Sequence, residues 1–164
     1  MKAIYALLAQ ALSYPGPGLL DELKGGLAGL GKVPGRDGLA RFVKKISALP
    51  VEQWEELATS TLDLSPAAAP YVGFQVWGES YQRGAFMAQL NRAMAELDID
   101  PGGELPDHLA PVLRYLAATD APLPELPGHL QTAVERMIAT LREKERGNPY
   151  IHVYEAVLAA SAGK

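Results

Sequence analysis

One dense group of polar residues lies directly ahead of an apolar stripe, in the stretch Glu104-Leu105-Pro106-Asp107-His108-Leu109. The stripe continues through Val112, Leu113 and Leu116, a spacing that indicates one face of a helix. Asp107 can cap the free backbone N–H groups of that helix, and a carboxylate suits the positive end of the helix dipole. Pro111, however, lacks a backbone donor. We therefore predict an outward-facing turn, followed by a helix that begins between Asp107 and Pro111.

The same helical spacing recurs along the whole chain. Leu39, Phe42, Val43 and Ile46 repeat at i, i+3, i+4 and i+7, and similar stripes occur around residues 86–97, 130–141 and 151–158. Polar residues suited to begin helices stand at Ser65-Pro66, Ser80 and Asn148-Pro149. No run of alternating β-branched residues is long enough for a strand. The sequence predicts an all-α fold, a single-domain bundle of eight or nine helices over residues 1–164.

Composition and charge exclude several classes of protein. A chain of 164 residues without cysteine can fold as one domain and forms no disulfide or thiolate metal site. Residues 1–50 carry seven Lys or Arg against three Asp or Glu, whereas residues 51–164 carry eight against sixteen. This acidic balance argues against a nucleic-acid partner and permits a basic one. The charge-free run from Leu64 to Gly78 contains two prolines and is too short to span a bilayer. We expect a cytoplasmic protein without stable membrane insertion.

A proline-rich segment interrupts the helical pattern late in the chain. Residues 120–128 read Asp-Ala-Pro-Leu-Pro-Glu-Leu-Pro-Gly, a composition typical of a stiff, extended connection. Such a connection is a natural hinge, and a hinge allows two chains to exchange helices. The sequence is thus compatible with a monomer or with a swapped homodimer.

Two sets of residues are candidates for chemistry or binding. Glu104, Asp107 and His108 could hold a metal or form an acid and base pair, which would suit a small metal-dependent hydrolase, but His129 and His152 show no ligand spacing to them. We therefore predict no enzyme, no metal site and no cofactor. Separately, Tyr71, Phe74 and Trp77 repeat every three residues in the charge-free run. They form either core or an apolar groove, and Tyr71 and Trp77 are the two expected near the surface.

Four short motifs, in order, resemble those of a known family. They are Leu12-Ser13-Tyr14-Pro15, Thr61-Leu62-Asp63-Leu64, Gln82-Arg83-Gly84, and Glu104-Leu105-Pro106-Asp107-His108-Leu109 with Val112-Leu113-Arg114-Tyr115-Leu116-Ala117. Together they resemble the nitrate reductase assembly chaperones, the NarJ-like (delta subunit) group within the TorD/DmsD class of redox-enzyme maturation proteins. The resemblance covers most of residues 1–118 and implies a TorD-like helical fold. Where family members usually carry Phe, this chain has Leu62.

The resemblance also implies a function. NarJ-like proteins are cytoplasmic chaperones that bind the N-terminal segment of the catalytic α subunit of respiratory nitrate reductase while its molybdenum cofactor is inserted. They carry no cofactor themselves, because the client enzyme holds it. A close alternative is a chaperone of another molybdoenzyme of the dimethyl-sulfoxide reductase class. A subunit retained permanently in a complex is a further alternative.

Matching positions give the residues expected to bind the client peptide. Asp107 and Glu104 would make electrostatic contact, His108 would form a hydrogen bond, and Pro106 would fix the turn. Arg83 and Asp63 match the basic and acidic positions of two other motifs. Tyr71 and Trp77 are added as groove residues on the aromatic spacing alone.

Overall fold

Nine α-helices account for most of residues 2–63 and 68–162, the parts of the chain that the structure, a computed structural model, describes. Their bounds are α1 Lys2–Ala11, α2 Leu19–Gly29, α3 Arg36–Ser47, α4 Val51–Ala58, α5 Val72–Trp77, α6 Tyr81–Glu96, α7 Leu109–Ala118, α8 Leu126–Lys144 and α9 Tyr150–Ala162. A π-helical turn, Thr59–Asp63, extends α4. These two ranges contain no β-strand, so the predicted all-α bundle of eight or nine helices is confirmed.

The core joins the apolar faces of helices that are distant in sequence. Helix α1 packs along α7, and α8 contacts both α5 and α9, while α3 lies against α9. Large side chains from four of these helices are fully buried at the centre, among them Tyr5, Leu8, Leu113, Met137 and Tyr154. Burial of this kind supplies roughly 1.5–3 kcal/mol for each large aliphatic side chain.

Local sequence signals predicted several helices correctly. All four residues of the α3 stripe are buried. Ser80 is the N-cap of α6 and accepts a hydrogen bond from the backbone N–H of Arg83, and Asn148 accepts one from the backbone N–H of Tyr150 at the start of α9. Each of these features depends only on residues within about two turns, which is why the sequence suffices to find them. The predicted helix start at Ser65-Pro66 lies outside the described residues.

Helices α3 and α9 cross with their backbones in close approach. A Cβ atom added at Gly38 would lie 2.8 Å from the carbonyl oxygen of His152, closer than atoms normally approach. Only glycine fits at this crossing without moving the helices apart. The packing of α9 on α3 therefore depends on a residue that lowers the intrinsic helix propensity of α3.

The connection between α7 and α8 is shorter than the sequence predicts. Residues 126–128, expected to belong to an extended segment over 120–128, form the first turn of α8 instead. Pro127 is compatible with this position, because backbone N–H groups in the first turn of a helix have no partner within the helix. The remaining connection is tied to α7 by the backbone N–H of Leu123, which donates to the Tyr115 hydroxyl over 3.1 Å. Exchange of helices about this segment stays a prediction.

The length and hydropathy of each helix determine whether it could cross a membrane. Across residues 2–63 and 68–162, no helix combines the length and the apolar character that crossing a bilayer requires.

Candidate functional site

The turn at residues 104–108 is fixed by backbone pairing with the residues that precede α5. The N–H of Leu109 donates to the carbonyl of Pro70 over 2.7 Å, and the N–H of Val72 donates to the carbonyl of Asp107 over 2.8 Å. Tyr71 and His108 thereby form an isolated antiparallel bridge. The turn is therefore not a free loop, because these two backbone hydrogen bonds join it to residues 70–72, where the aromatic segment begins. Pro106 is buried within it.

His108, and not Asp107, caps helix α7. Its Nδ1 accepts a hydrogen bond of 3.1 Å from the backbone N–H of Ala110. Pro111, at the third helical position, has no N–H to be capped, so Ala110 offers the donor that a cap must satisfy. Burial lowers the pKa of His108 below its ordinary value, although Glu104 and Asp107 act in the opposite direction. The prediction that Asp107 serves as the cap is wrong.

Asp107 points into the protein, contrary to the predicted outward-facing turn. Its side chain is fully buried and accepts two hydrogen bonds from the Arg83 guanidinium, at 2.9 Å from Nε and 3.2 Å from Nη2. The backbone N–H of Gly73 adds a third at 3.1 Å. In this conformation Asp107 cannot touch a client at the surface. It joins the turn to the start of α6 and to α5 through a charged pair with satisfied hydrogen bonds.

Arg83 lies at the centre of this arrangement. Its guanidinium is 5.6 Å from the ring centroid of Tyr71 and 5.5 Å from that of Phe74, distances that allow cation–π attraction. It also pairs with the exposed carboxylate of Glu79. Burial alone would lower the pKa of Arg83, but the hydrogen bonds and charges of Asp107 and Glu79 outweigh it and raise that pKa. Arg83 is 7% exposed, so its function in this structure is to hold neighbouring elements together.

Glu104 remains exposed at the surface of the turn. The hydroxyl of Tyr71 donates to its Oε1 over 3.0 Å, and the rings of Tyr71 and His108 lie nearly perpendicular with their centroids 5.1 Å apart. Burial, followed by the hydrogen bond to Glu104, raises the pKa of Tyr71 to about 12. Tyr71 is therefore a neutral donor that orients Glu104 across the physiological pH range.

Residues from three of the four sequence motifs line a single surface pocket of about 340 Å³, called here the motif pocket. Buried side chains form its apolar floor, namely Leu12, Ala58, Leu62, Ala110 and Pro111. Its rim carries the exposed residues Tyr14, Asp63 and Glu104, together with half-buried Arg114, and His108 lines it as well. The remaining motif supplies Arg83, which is not part of the lining but holds the turn through Asp107. Three motifs thus converge on the pocket, although they are spread over about a hundred residues.

Asp63 reaches the rim from the π-helical turn. This turn is anchored by a buried hydrogen bond of 2.8 Å, in which Asn148 Nδ2 donates to the Thr61 hydroxyl. Asn148 also accepts a hydrogen bond from the backbone N–H of Tyr150, the first residue of α9. The position of Asp63 is therefore coupled to the core. Short π-helical segments occur frequently at functional sites.

Trp77 does not belong to the motif pocket. It is half-buried, with its ring 4.6 Å from that of His129 and 5.3 Å from that of Phe86. Tyr71, by contrast, contacts His108 and Glu104. Both aromatic residues lie near the surface as predicted, yet the structure assigns them to different clusters and not to one groove.

Sequence reasoning missed the acidic face beside Tyr14. Tyr14 is 58% exposed and also lines a second pocket, together with Glu52, Glu55 and Glu56 of α4. The spacing of these glutamates, i, i+3 and i+4, places them on one face of the helix, and this signal was available from the sequence. Arg114 stands in the last of the four motifs but was not predicted as a site residue; its Nη2 donates to the carbonyl of Asp100 over 3.1 Å.

The side-chain atoms that would bind a metal at the alternative site already form hydrogen bonds within the protein. Asp107 is bound to Arg83, and Nδ1 of His108 is bound to Ala110, so these atoms do not converge with Glu104. No group of three or more His, Asp or Glu side chains within residues 2–63 and 68–162 has the arrangement of a metal site.

Comparisons with known proteins add no relative to this picture. No protein-family model matches the chain, and no curated protein matches it in sequence.

Proposed function

We propose that this protein is an assembly chaperone that binds the N-terminal segment of the catalytic α subunit of respiratory nitrate reductase. It would act in the cytoplasm, holding the client open while the molybdenum cofactor is inserted. The chaperone would carry no cofactor and catalyse no reaction, because the cofactor belongs to the client.

The observation that carries this proposal is the convergence of three of the four motifs on the motif pocket, with the remaining motif holding its turn in place. Leu12 to Tyr14, Leu62-Asp63 and Glu104 to Arg114 contribute to its lining, while Arg83 supports the turn through Asp107. Motifs recognised for their resemblance to one family would be scattered if each served only the packing of its own helix. Their meeting at one surface favours a shared role in binding.

The chemistry of the pocket suits a basic, partly apolar peptide. Its floor can cover an apolar side chain, and the carboxylates of Asp63 and Glu104 on its rim attract positive charge. The three glutamates beyond Tyr14 extend the negative potential along the surface. Complementary charge of this kind orients a partner and speeds encounter, whereas the apolar contact supplies affinity.

The test is a calorimetric titration with a synthetic peptide that covers the first residues of the nitrate reductase α subunit. A peptide of the same composition in scrambled order serves as the control. We expect saturable binding of the native peptide alone, weakened by added salt because exposed charges are screened. Equal binding of both peptides, or of neither, would contradict the proposal. Preference for the N-terminus of another molybdoenzyme of the dimethyl-sulfoxide reductase class would transfer it to that client.

A further inference from the structure

One ring nitrogen of His108, a residue that lines the motif pocket, has no hydrogen-bond partner in the described chain. The residue is 6% exposed, and its Nδ1 accepts a hydrogen bond from the backbone N–H of Ala110. A neutral imidazole whose Nδ1 accepts carries its proton on Nε2. Nε2 has no hydrogen-bond partner within residues 2–63 and 68–162, and it is not among the described side-chain atoms that are sealed from solvent without a partner. Because His108 lines the pocket and its Nδ1 is engaged, Nε2–H is the donor that the ring has left for a ligand there.

Two carboxylates of the same pocket form no ion pair with a described cation. Asp63 and Glu104 are exposed, and neither forms an ion pair with another part of the described chain. The Tyr71 hydroxyl orients Glu104 through Oε1 and leaves its other oxygen available. The nearby guanidinium of Arg114 is held by the carbonyl of Asp100. The pocket therefore offers the carboxylates of Asp63 and Glu104 to a positively charged group, and the Nε2–H of His108 to an uncharged acceptor.

The pocket has a volume of about 340 Å³, which lies in the range of pockets that hold small ligands. This volume suits a single side chain or the end of a chain.

The geometry points to capture of the client's free N-terminus: the α-ammonium group binds between Asp63 and Glu104, the first carbonyl accepts from His108 Nε2–H, and the first side chain covers the apolar floor. This inference rests on the proposed function and specifies which end of the client the pocket reads. An α-ammonium group is two bonds from a carbonyl carbon, which matches a donor placed beside two carboxylates. The charged end of a lysine or arginine side chain brings no carbonyl with it.

The experiment compares two forms of the native client peptide, one with a free N-terminus and one N-acetylated, in calorimetric titrations at pH 7. The free α-amino group has a pKa near 8 and is mostly charged at that pH, whereas acetylation removes the charge. Loss of charge-assisted hydrogen bonds predicts a rise in Kd of about tenfold or more on acetylation. Equal affinity of the two forms would overturn the inference and leave the proposed function standing. If neither form binds, both are wrong.

Variants of the chaperone then locate the amine. In the Asp63→Asn, Glu104→Gln double variant, acetylation should change Kd by less than about threefold, because the partners of the ammonium group are gone. Glu143→Gln, which removes an exposed charge on α8, should retain the full effect of acetylation and serves as the matched control. An equal effect of acetylation on the double variant and the wild type would place the amine elsewhere and overturn the inference. Because Asp63 and Glu104 are exposed, their substitution should leave the circular dichroism spectrum unchanged.

Discussion

Arg83 and Asp107 are 24 residues apart in the chain, yet their side chains form a buried pair joined by two hydrogen bonds of 2.9 and 3.2 Å. The pair links the start of α6 to the turn that leads into α7. It explains why two positions of the resemblance, in separate motifs, carry opposite charges without facing solvent. Glu104, in the same motif as Asp107, and Asp63, in another motif, are by contrast exposed.

Removal of Asp107 should destabilise the whole protein. Asp107→Ala leaves the Arg83 guanidinium buried without its main partner, a situation that typically costs about 3–5 kcal/mol in the free energy of unfolding. Glu79→Gln removes only the exposed partner of Arg83 and should cost less than about 1 kcal/mol. Urea denaturation of the two variants measures the difference. Similar losses of unfolding free energy in both variants would show that the buried pair stabilises the protein no more than the exposed one.

Two glycines near the pair should respond in opposite directions to the same substitution. A Cβ atom at Gly73 would lie 2.8 Å from Asp107 Oδ2 and 2.9 Å from Arg83 Cγ, so Gly73→Ala should destabilise the protein by about 1–3 kcal/mol. Gly84 in α6 has open space around it, and Gly84→Ala should stabilise by about 0.5–1 kcal/mol through helix propensity. Thermal unfolding followed by circular dichroism reports both signs. A stabilising Gly73→Ala would contradict the packing around Asp107.

Acid should destabilise the wild type through His108. Burial lowers the pKa of the folded-state imidazole below the ordinary value of 6.5, so the unfolded chain takes up a proton first as pH falls. The contribution of His108 is complete above about pH 6.5 and is lost as pH falls toward the folded-state pKa. His108→Asn keeps a capping side chain that does not titrate. Urea denaturation at pH 7.5 and pH 5 should show a smaller acid-induced loss in this variant, and parallel losses would be inconsistent with a buried neutral His108.

Substitution of the exposed motif residues should weaken client binding and leave the stability of the protein nearly unchanged. The double variant Asp63→Asn, Glu104→Gln should raise the Kd of the client peptide by about tenfold, since it removes two charged acceptors. It should change the free energy of unfolding by less than about 0.5 kcal/mol per site, as exposed substitutions usually do. Calorimetry and urea denaturation on the same preparations test this separation. A variant that loses stability without losing affinity would reverse the roles assigned here.

Local patterns predicted the fold, and tertiary contacts decided the site. The α3 stripe and the caps at Ser80 and Asn148 depend on neighbours within a few residues, so the sequence identifies them. The burial of Asp107 depends on Arg83 and Gly73, which approach only after α5, α6 and the turn have packed. No periodicity in the sequence reports that approach, which is why an inward-facing carboxylate was predicted to face outward.

The cap of α7 shows the same limit at shorter range. Aspartate is a preferred capping residue, and histidine is not, so propensity favours Asp107. The backbone bonds of Leu109 with Pro70 and of Val72 with Asp107 fix the register of the turn and bring His108 to the capping position. Similarly, Tyr71 and Trp77 share a helical spacing but pack against different neighbours, because α8 supplies His129 to only one of them.

The most direct test of a client site at the motif pocket is photo-crosslinking with the native α-subunit peptide, which carries a photoreactive residue at its second position. Mass spectrometry of the crosslinked protein locates the contact. Crosslinks within residues 12–14, 62–63 or 101–114, suppressed by excess unlabelled peptide and reduced in the Asp63→Asn, Glu104→Gln variant, are the predicted result. Competed crosslinks that fall instead on α8 and α9 would contradict the account.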